Sequence, residues 1–246
     1  MATSSATQAA PPSRYYYEIR IYHLQNQEQE QKLDDYLQHA FIPALHRHHI
    51  SLVGVFKPVE QQDSGRDVYV LIPYSSWNVK MQLPELLDKD AAYQRDGQAY
   101  INRPYTDPVF TRMETILLEA FPKMPVLQKP ALKAPMAERV YELRSYESPT
   151  EALNVNKVKM FNDGDEVGIF KRLNFNAVFY AEVLSGSHMP NLMYMTTFEN
   201  RADREAHWKA FSSDPQWTKL SAMDQYQHNV SKAEITFLRP ADYSDL

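Results

Sequence analysis

The sequence predicts an α+β fold in which tandem ferredoxin-like repeats close into an α/β barrel of antiparallel sheets, with the helices outside. Three observations support this prediction. A strand-like segment occurs twice, as YYEIRIY at 16–22 and as VYELRSY at 140–146. The patterns that follow each copy have the same order of strands and helices. A proline-rich segment at 122–137 separates the two halves.

The first half begins with a strand and continues with a helix. Residues 15–24 are rich in aromatic and β-branched side chains, which is typical of strands. Apolar residues then recur every fourth position, which predicts an amphipathic helix over about 29–48 with a kink at Pro43. The remaining elements of this half are two hairpin strands at 51–59 and 67–74, a helix at about 83–102 and a strand at 112–121.

The second half repeats the order β-α-β-β-α-β, which is that of a ferredoxin-like unit. Its strands are predicted at 139–148, 174–184, 191–199 and 232–240, and its helical stretches at 150–163 and 200–229. Asn200 is the predicted N-cap of the last helical stretch, because its side chain can accept a hydrogen bond from a free amide of the first turn.

These boundaries divide the chain into four predicted segments. They are a disordered tail at 1–14, an N-terminal domain at 15–121, a linker at 122–137 and a C-terminal domain at 138–246.

Composition excludes several classes of function. With 246 residues and 43% hydrophobic content, the chain is long enough to bury the core of a soluble globular protein. A net charge of −5 without a run of Lys and Arg argues against a nucleic-acid partner. The apolar stretches fall far short of the roughly 18 residues that span a bilayer, so membrane insertion is not predicted. The compartment stays open between the cytoplasm and export, since removal of an export signal would leave a similar polar tail.

Each repeated strand carries an acid, a base and a phenol on the same side: Glu18, Arg20 and Tyr22 in the first copy, and Glu142, Arg144 and Tyr146 in the second. If the more apolar side of each strand meets the helices, these six side chains line the barrel interior. They then form either a pocket that binds an anion or a carbonyl compound, or a salt-bridge network that fixes the register of the two halves. Glu114 and Glu234, in matching places of the fourth strands, fit both interpretations.

The sequence predicts no metal site and no cofactor. Zero cysteines exclude disulfides, thiolate nucleophiles and Cys-type zinc sites. His39, His46, His48 and His49 crowd the end of the first helix, but no third ligand spacing accompanies them. His188 lies between two strands and is expected to be a turn residue. Neither a phosphate-binding glycine loop nor a G-x-S-x-G motif is present.

The second half resembles the NIPSNAP family. The segments that carry the resemblance are YELRSY, KMFNDGDEVGIFKRLNFNAVFYAEVLSG, MPNLMYMTTFENRADREAHWKAFSSDPQW and FLRPADYS. The first half keeps YYEIRIY and the element order, but it lacks the HWKAF and DPQW segments of the second half. The resemblance implies the dimeric α/β-barrel form of the ferredoxin-like fold. It does not imply a reaction, because the family has no settled activity.

Three function classes follow from the residues and the resemblance. The main hypothesis is a small organic ligand bound in the barrel interior. The alternatives are a non-catalytic interaction or adaptor module and a cofactor-independent enzyme similar to monooxygenases or isomerases, so enzymatic activity is left open. A packed barrel with saturated Glu–Arg pairs favours the module, whereas an open cavity with an unpaired acid favours the ligand. The free outer helices predict a homodimer.

Overall fold

Eight antiparallel strands close into one barrel in the computed structural model, which describes residues 13–60 and 65–246. Strand propensity comes from alternating β-branched and aromatic residues. The strands are β1 Tyr16–Leu24, β2 Gly54–Pro58, β3 Arg66–Tyr74, β4 Arg112–Ala120, β5 Val140–Glu147, β6 Phe179–Ser185, β7 Asn191–Phe198 and β8 Lys232–Pro240.

The two halves of the chain contribute four neighbouring strands each. Around the barrel the order is β1-β3-β2-β8-β5-β7-β6-β4, and β4 pairs with β1 to close it. Two antiparallel pairs join the halves. In one, Lys57 of β2 faces Arg239 of β8; in the other, Ala120 of β4 faces Ala181 of β6. Closure leaves no free edge among the described strands.

The helices pack outside the barrel, and most begin at a side-chain cap. The α-helices are α1 Gln27–Tyr36, α2 Ile42–Arg47, α3 Trp77–Lys89, α4 Ala91–Asp96, α5 Gln98–Ile101, α6 Glu151–Asn162, α7 Glu166–Arg172, α8 Arg201–Ser212 and α9 Pro215–Ser221. A π-helical turn, Leu37–Phe41, joins α1 to α2, and short 3-10 turns lie at Met136–Glu138 and Asp224–Tyr226. The single helix predicted over this stretch is therefore interrupted by a π turn just before Pro43.

Capping residues recur at a constant spacing of 124 residues. Each accepts a hydrogen bond from a first-turn amide of its helix. The three pairs are Asn26 and Thr150, Ser76 and Asn200, and Asp90 and Asp214. The prediction that Asn200 is an N-cap is confirmed, because its side chain accepts from the Asp203 amide at 3.0 Å.

Apolar side chains form three cores. One fills the barrel itself, with Tyr17, Ile19, Phe56 and Tyr141 among its buried members. The other two lie between the barrel wall and the helices, one in each half of the chain. Residues 122–137 connect the halves without a long helix or strand, and Leu127 of this segment is buried in the barrel core.

Several predicted boundaries change in the structure. The helix expected at 83–102 begins earlier, at Trp77, because Ser76 caps it, and it ends before Asp90, which caps α4. The long helical stretch at 200–229 is divided in the same way at Asp214. Most of the predicted tail, residues 1–12, and part of the predicted hairpin turn, residues 61–64, lie outside the described residues. Within the described part, no helix combines the length and apolar character needed to cross a membrane.

Candidate functional site

The acid–base–phenol triplets face the helices and not the barrel interior, so the predicted barrel-lining placement is wrong. Tyr22 is buried in the core beneath α1 and α2. Its neighbours in β1, Ile19 and Ile21, pack in or against the barrel core. The physical reason is that the barrel interior is enclosed on every side, so it takes the more apolar face of the strand. The helix layer instead supplies a cation to each acid, Lys80 of α3 to Glu18 and Arg204 of α8 to Glu142.

In the first half, Glu18 is the centre of a saturated network. Arg20 donates from Nε to Glu18 Oε1 at 2.7 Å, and the Tyr74 hydroxyl donates to Oε2 at 2.7 Å. Lys80 of α3 lies 3.4 Å from the same oxygen. The Arg20 guanidinium also lies over the Phe41 ring, 5.1 Å from its centroid. Both carboxylate oxygens of Glu18 are therefore paired.

The second half has a corresponding network around Glu142, with an arginine in the place of Lys80 and a tryptophan as a further donor. Glu142 is fully buried and accepts hydrogen bonds from Arg144 Nε, from Arg204 Nε at 2.7 Å and from Trp208 Nε1 at 3.1 Å. Arg204 of α8 stands 124 residues after Lys80, in the corresponding helix. The Arg144 guanidinium stacks on Trp208, 3.7 Å from the ring centroid.

The ion pairs hold both acids in their charged form. Burial alone raises the pKa of Glu142, but the guanidinium groups of Arg204 and Arg144 outweigh it and set the pKa below its ordinary value. Burial acts on Glu18 in the same way, and Arg20, Tyr74 and Lys80 outweigh it, so its pKa is also lowered. Neither carboxylate is free to act as a base, and saturation favours a structural role for both pairs.

The second network continues from Arg144 to the hydroxyl groups of two tyrosines in the core between the barrel wall and the helices. Arg144 donates to the Tyr146 hydroxyl at 3.0 Å, and the Tyr146 and Tyr194 hydroxyls lie 2.8 Å apart. Tyr194 is fully buried and stacks on Tyr180 at 5.5 Å between ring centroids. Burial raises the pKa of both Tyr194 and Tyr180, and the Glu166 carboxylate adds to the rise.

A buried ion pair lies beside these phenols. Lys157 of α6 donates to Glu166 of α7 at 2.9 Å, and the two residues are 4% and 2% exposed. Burial raises the pKa of Glu166, and the Lys157 ammonium opposes this only in part. Glu166 has one cationic partner, whereas Glu142 has two. Burial therefore raises the pKa of Glu166, and it also raises the pKa of Glu182, which accepts from Asn154 of α6.

The first half of the chain fills the corresponding positions with aliphatic side chains. Val55 faces Val70 across β2 and β3, where Tyr180 faces Tyr194 across β6 and β7. The 124-residue spacing places Leu33 and Ile42 where the second half has Lys157 and Glu166. The eight side chains, Leu33, Ile42, Val55, Val70, Lys157, Glu166, Tyr180 and Tyr194, are all buried. The fold can therefore be built without a polar cluster here, and the second half has one.

A cavity adjoins this cluster. It has a volume of about 360 Å³ and lies between α7 and the segment at 123–131, with Phe170, Phe175 and Tyr180 in its wall. A volume above roughly 300 Å³ is that of a small-molecule site. Three lysines line the cavity: Lys123, Lys129 and Lys171.

The barrel interior offers much less space. A cavity of about 110 Å³ lies at one end of the barrel, lined by Glu114, Glu234, His188 and Asn191 among others. This volume holds a few water molecules but is below that of an organic ligand site. The apolar side chains of the barrel core fill the rest. The hypothesis of an organic ligand in the barrel interior is therefore not supported by the shape of the barrel.

Sequence reasoning missed Lys157, Glu166, Tyr180 and Tyr194 as site residues. A signal was present in the sequence. Extending the 124-residue offset from the repeated strands into the helices sets Lys157 against Leu33 and Glu166 against Ile42. A charge that replaces an aliphatic residue on the buried stripe of a helix indicates a special environment.

Residues 141–245 match the family model described as NIPSNAP. This segment is a NIPSNAP domain. Its bounds include β5 to β8, both arginines of the Glu142 network and the buried Lys157–Glu166 pair. No curated protein sequence matches the chain.

Solved structures resemble the fold of the whole chain. A "putative monooxygenase" from Lactobacillus acidophilus NCFM is 10% identical with a TM-score of 0.61, covering 92% of this chain and 94% of that chain. An anthrone oxidase-like protein is 9% identical with a TM-score of 0.51, covering 95% and 94%. A NIPSNAP family protein with unknown function from Agrobacterium tumefaciens str. C58 is 19% identical, covering 44% and 93%, with a TM-score of 0.38. At these identities the first two similarities, which extend over the whole chain, show the α/β-barrel fold alone.

Proposed function

We propose that the NIPSNAP domain binds a small organic anion in the cavity between α7 and the segment at 123–131. The observation that carries this proposal is that four buried aliphatic positions of the first half correspond to Lys157, Glu166, Tyr180 and Tyr194 in the second, a cluster that reaches the cavity through Tyr180. A buried ion pair is often no more stabilising than aliphatic residues of similar volume. Its presence in only one half therefore favours a role in ligand binding.

The cavity lining indicates the class of ligand. Phe170, Phe175 and Tyr180 supply an apolar, aromatic wall for the body of the molecule. Among the lysines at the cavity, Lys123 pairs with Asp165 at 3.3 Å and Lys129 donates to a backbone carbonyl of Asp245. Lys171 has no ion pair among the described residues. A carboxylate or phenolate on an aromatic or aliphatic body matches this arrangement.

The domain organisation is part of the same proposal. We propose that residues 15–121 and 138–246 are tandem ferredoxin-like repeats joined by the linker at 122–137. The strand orders β4-β1-β3-β2 and β8-β5-β7-β6 support this, since each places the four strands of one half in the same sequence. The repeated caps support it as well. In this proposal the three triplet residues of each repeat hold its sheet to its helices. The ligand binds in the second repeat only.

Native mass spectrometry of protein purified without added ligand tests the proposal. We expect an adduct that disappears under denaturing conditions. The variant Ala177→Phe fills the cavity, and Lys157→Leu with Glu166→Ile restores the aliphatic pair of the first half; both are expected to lose the adduct while staying folded. Lys219→Ala, an exposed lysine of α9, is the matched control and should keep it.

A fluorescent aromatic sulfonate, anilinonaphthalene sulfonate, provides a second readout because it combines an apolar body with an anion. Lys171→Ala should weaken its saturable binding by two- to fivefold, since one exposed charge contributes roughly 0.5 to 1 kcal/mol. Retention of the adduct in Ala177→Phe contradicts the proposed cavity. Absence of both adduct and saturable probe binding in the wild type favours the adaptor module instead.

A further inference from the structure

A cluster of three metal-ligating side chains lies at the end of the barrel, away from the proposed ligand cavity. Glu147 ends β5, Glu234 lies in β8, and His188 lies in the loop between β6 and β7. Their ligand atoms all lie within 4.8 Å of one another, and His188 Nδ1 is 3.1 Å from Glu147 Oε1. Two ligands on opposite sides of a divalent transition metal are separated by roughly 4.2 Å, so small side-chain rotations bring all three into coordination range.

A buried amide oxygen without a hydrogen-bond partner is a second indication of a ligand at this end of the barrel. Asn191 is 2% exposed and lines the cavity of about 110 Å³ together with His188 and Glu234. Its Nδ2 donates to the Ser145 hydroxyl at 2.8 Å, but its Oδ1 accepts no hydrogen bond from any described residue. A buried acceptor without a donor is costly unless a cation or a water molecule satisfies it. The cavity is large enough for a metal ion with one or two bound waters.

The first half shows how the same positions are satisfied without a metal. His23, Asp67 and Glu114 stand where the second half has Glu147, Asn191 and Glu234, as the strand registers show. The His23 ring lies 2.8 Å from Asp67 and 2.9 Å from Glu114, so one histidine bridges both acids. In the second half an acid takes the place of the bridging histidine. Two carboxylates therefore share a site that needs a positive charge.

Lys232 supplies part of that charge. Its Nζ lies 3.5 Å from Glu147 and also contacts Glu234 closely. The Lys232 side chain is 51% exposed, so its ion pairs are weak and a multivalent cation can displace it at little cost. A metal and Lys232 therefore compete for the same two carboxylates.

We propose that Glu147, His188, Glu234 and the Asn191 amide oxygen bind one first-row divalent cation of the manganese or zinc class. An imidazole nitrogen with three oxygen donors suits these metals better than Mg²⁺ or Ca²⁺, which prefer oxygen ligands alone. The site is independent of the proposed organic ligand, from which it is separated by its position at the end of the barrel.

The test is titration of tag-free, chelator-treated protein with Mn²⁺, followed by electron paramagnetic resonance of free Mn²⁺, and with Zn²⁺ by calorimetry. We expect one ion per chain. His188→Ala and Glu234→Gln should each weaken binding at least tenfold. Lys232→Met should strengthen binding, because it removes the competing cation. The control His39→Ala removes an exposed histidine of the π turn and should bind as the wild type does.

Three outcomes overturn the proposal. They are the lack of a saturable one-to-one site in the wild type, unchanged binding in a folded His188→Ala variant, and unchanged or weaker binding in Lys232→Met. The opposite signs expected for Glu234→Gln and Lys232→Met separate a metal site from an acid–lysine cluster that is only structural. Circular dichroism of every variant establishes that a loss of binding is not a loss of fold.

Discussion

At the scale of single residues, the two halves differ most at the buried Lys157–Glu166 pair. The pair occupies a place that Leu33 and Ile42 fill in the first half. Removing one member of a buried ion pair leaves the other charge without a partner in a medium of low polarity, whereas removing both can be neutral. Replacing Lys157 and Glu166 by the aliphatic residues of the first half, singly and together, therefore measures what this pair contributes to folding.

We predict that Lys157→Leu and Glu166→Ile each lower the free energy of unfolding by about 3 to 5 kcal/mol, while the double variant stays within about 1 kcal/mol of the wild type. Denaturant unfolding measures this double-mutant cycle. Lys159→Leu, an exposed lysine on the same helix, is the control and should change stability by less than about 0.5 kcal/mol. Additive single effects would contradict the prediction, since they would mean that the two residues act independently.

The Glu142 carboxylate predicts a dependence of stability on pH. Because its pKa is lowered in the folded state, it contributes stability above its unfolded pKa of about 4.3, and this contribution is lost as the pH falls through the lower folded pKa. Glu142→Gln should destabilise the protein at pH 7 and flatten the loss of stability below pH 4.5. Urea unfolding at a series of pH values measures both effects.

Glu151→Gln, at the exposed start of α6, is the control for the pH series. It should leave both the stability at pH 7 and the acid slope nearly unchanged. If Glu142→Gln keeps the full acid slope of the wild type, the stability lost in acid comes from other carboxylates, and Glu18 is the next candidate because its pKa is lowered in the same manner.

At the scale of elements, repeated N-caps decide where the helices begin and end. Asp214 accepts hydrogen bonds from the Gln216 and Trp217 amides at 3.0 and 3.1 Å and holds Arg172 through two further bonds. Asp90 caps α4 and pairs with Arg47 in the corresponding way. These contacts tie the end of one helix to the start of another, which is why each predicted long helix is broken at the same place.

Asp214→Ala is expected to lower the free energy of unfolding by about 1 to 2 kcal/mol, because α9 loses its cap and Arg172 loses its partner. Asp242→Ala, an exposed aspartate beyond β8, should cost less than about 0.5 kcal/mol. Thermal unfolding followed by circular dichroism compares the two. Equal melting temperatures for Asp214→Ala and the wild type would mean that the cap does not limit stability.

At the scale of the whole molecule, the barrel depends on both halves. The pairs β2–β8 and β4–β6 are the only strand pairs between the halves among the described residues, and the barrel core contains Tyr17 and Phe56 from one half with Tyr141 and Phe179 from the other. Either half alone exposes an apolar sheet face and two unpaired edges. The single chain thus completes within itself what an isolated half would need a second copy to complete.

Residues 138–246 expressed alone should therefore form a dimer by closing a barrel from two copies. Light scattering would report twice the mass of the fragment, and the fragment should unfold at lower denaturant when it is diluted. A folded fragment of single mass would contradict this prediction. The homodimer of the full chain stays a prediction as well, and it is measured in the same way, with a mass of one chain counting against it.

The sequence predicted the strands and an antiparallel barrel with the helices outside, because the repeated strand and the period of apolar residues report local structure directly. It did not predict which face of β1 and β5 turns inward. That choice depends on Lys80 and Arg204, which approach Glu18 and Glu142 from helices about 60 residues further along the chain, and alternation within one strand carries no information about them. The cavity beside Tyr180 was missed for the same reason, since its walls come from two separate segments, 123–131 and 167–180.

Closure of the barrel also limits how other macromolecules can engage this protein. A peptide that binds by β-augmentation needs an unpaired strand edge, and every described strand already has a neighbour on both sides. Within residues 13–60 and 65–246, a partner therefore has the outer helices and the connecting loops to contact, where side chains make most of the interactions. Interaction mapping by surface mutagenesis should start on α3 and α8 and can leave the sheet aside.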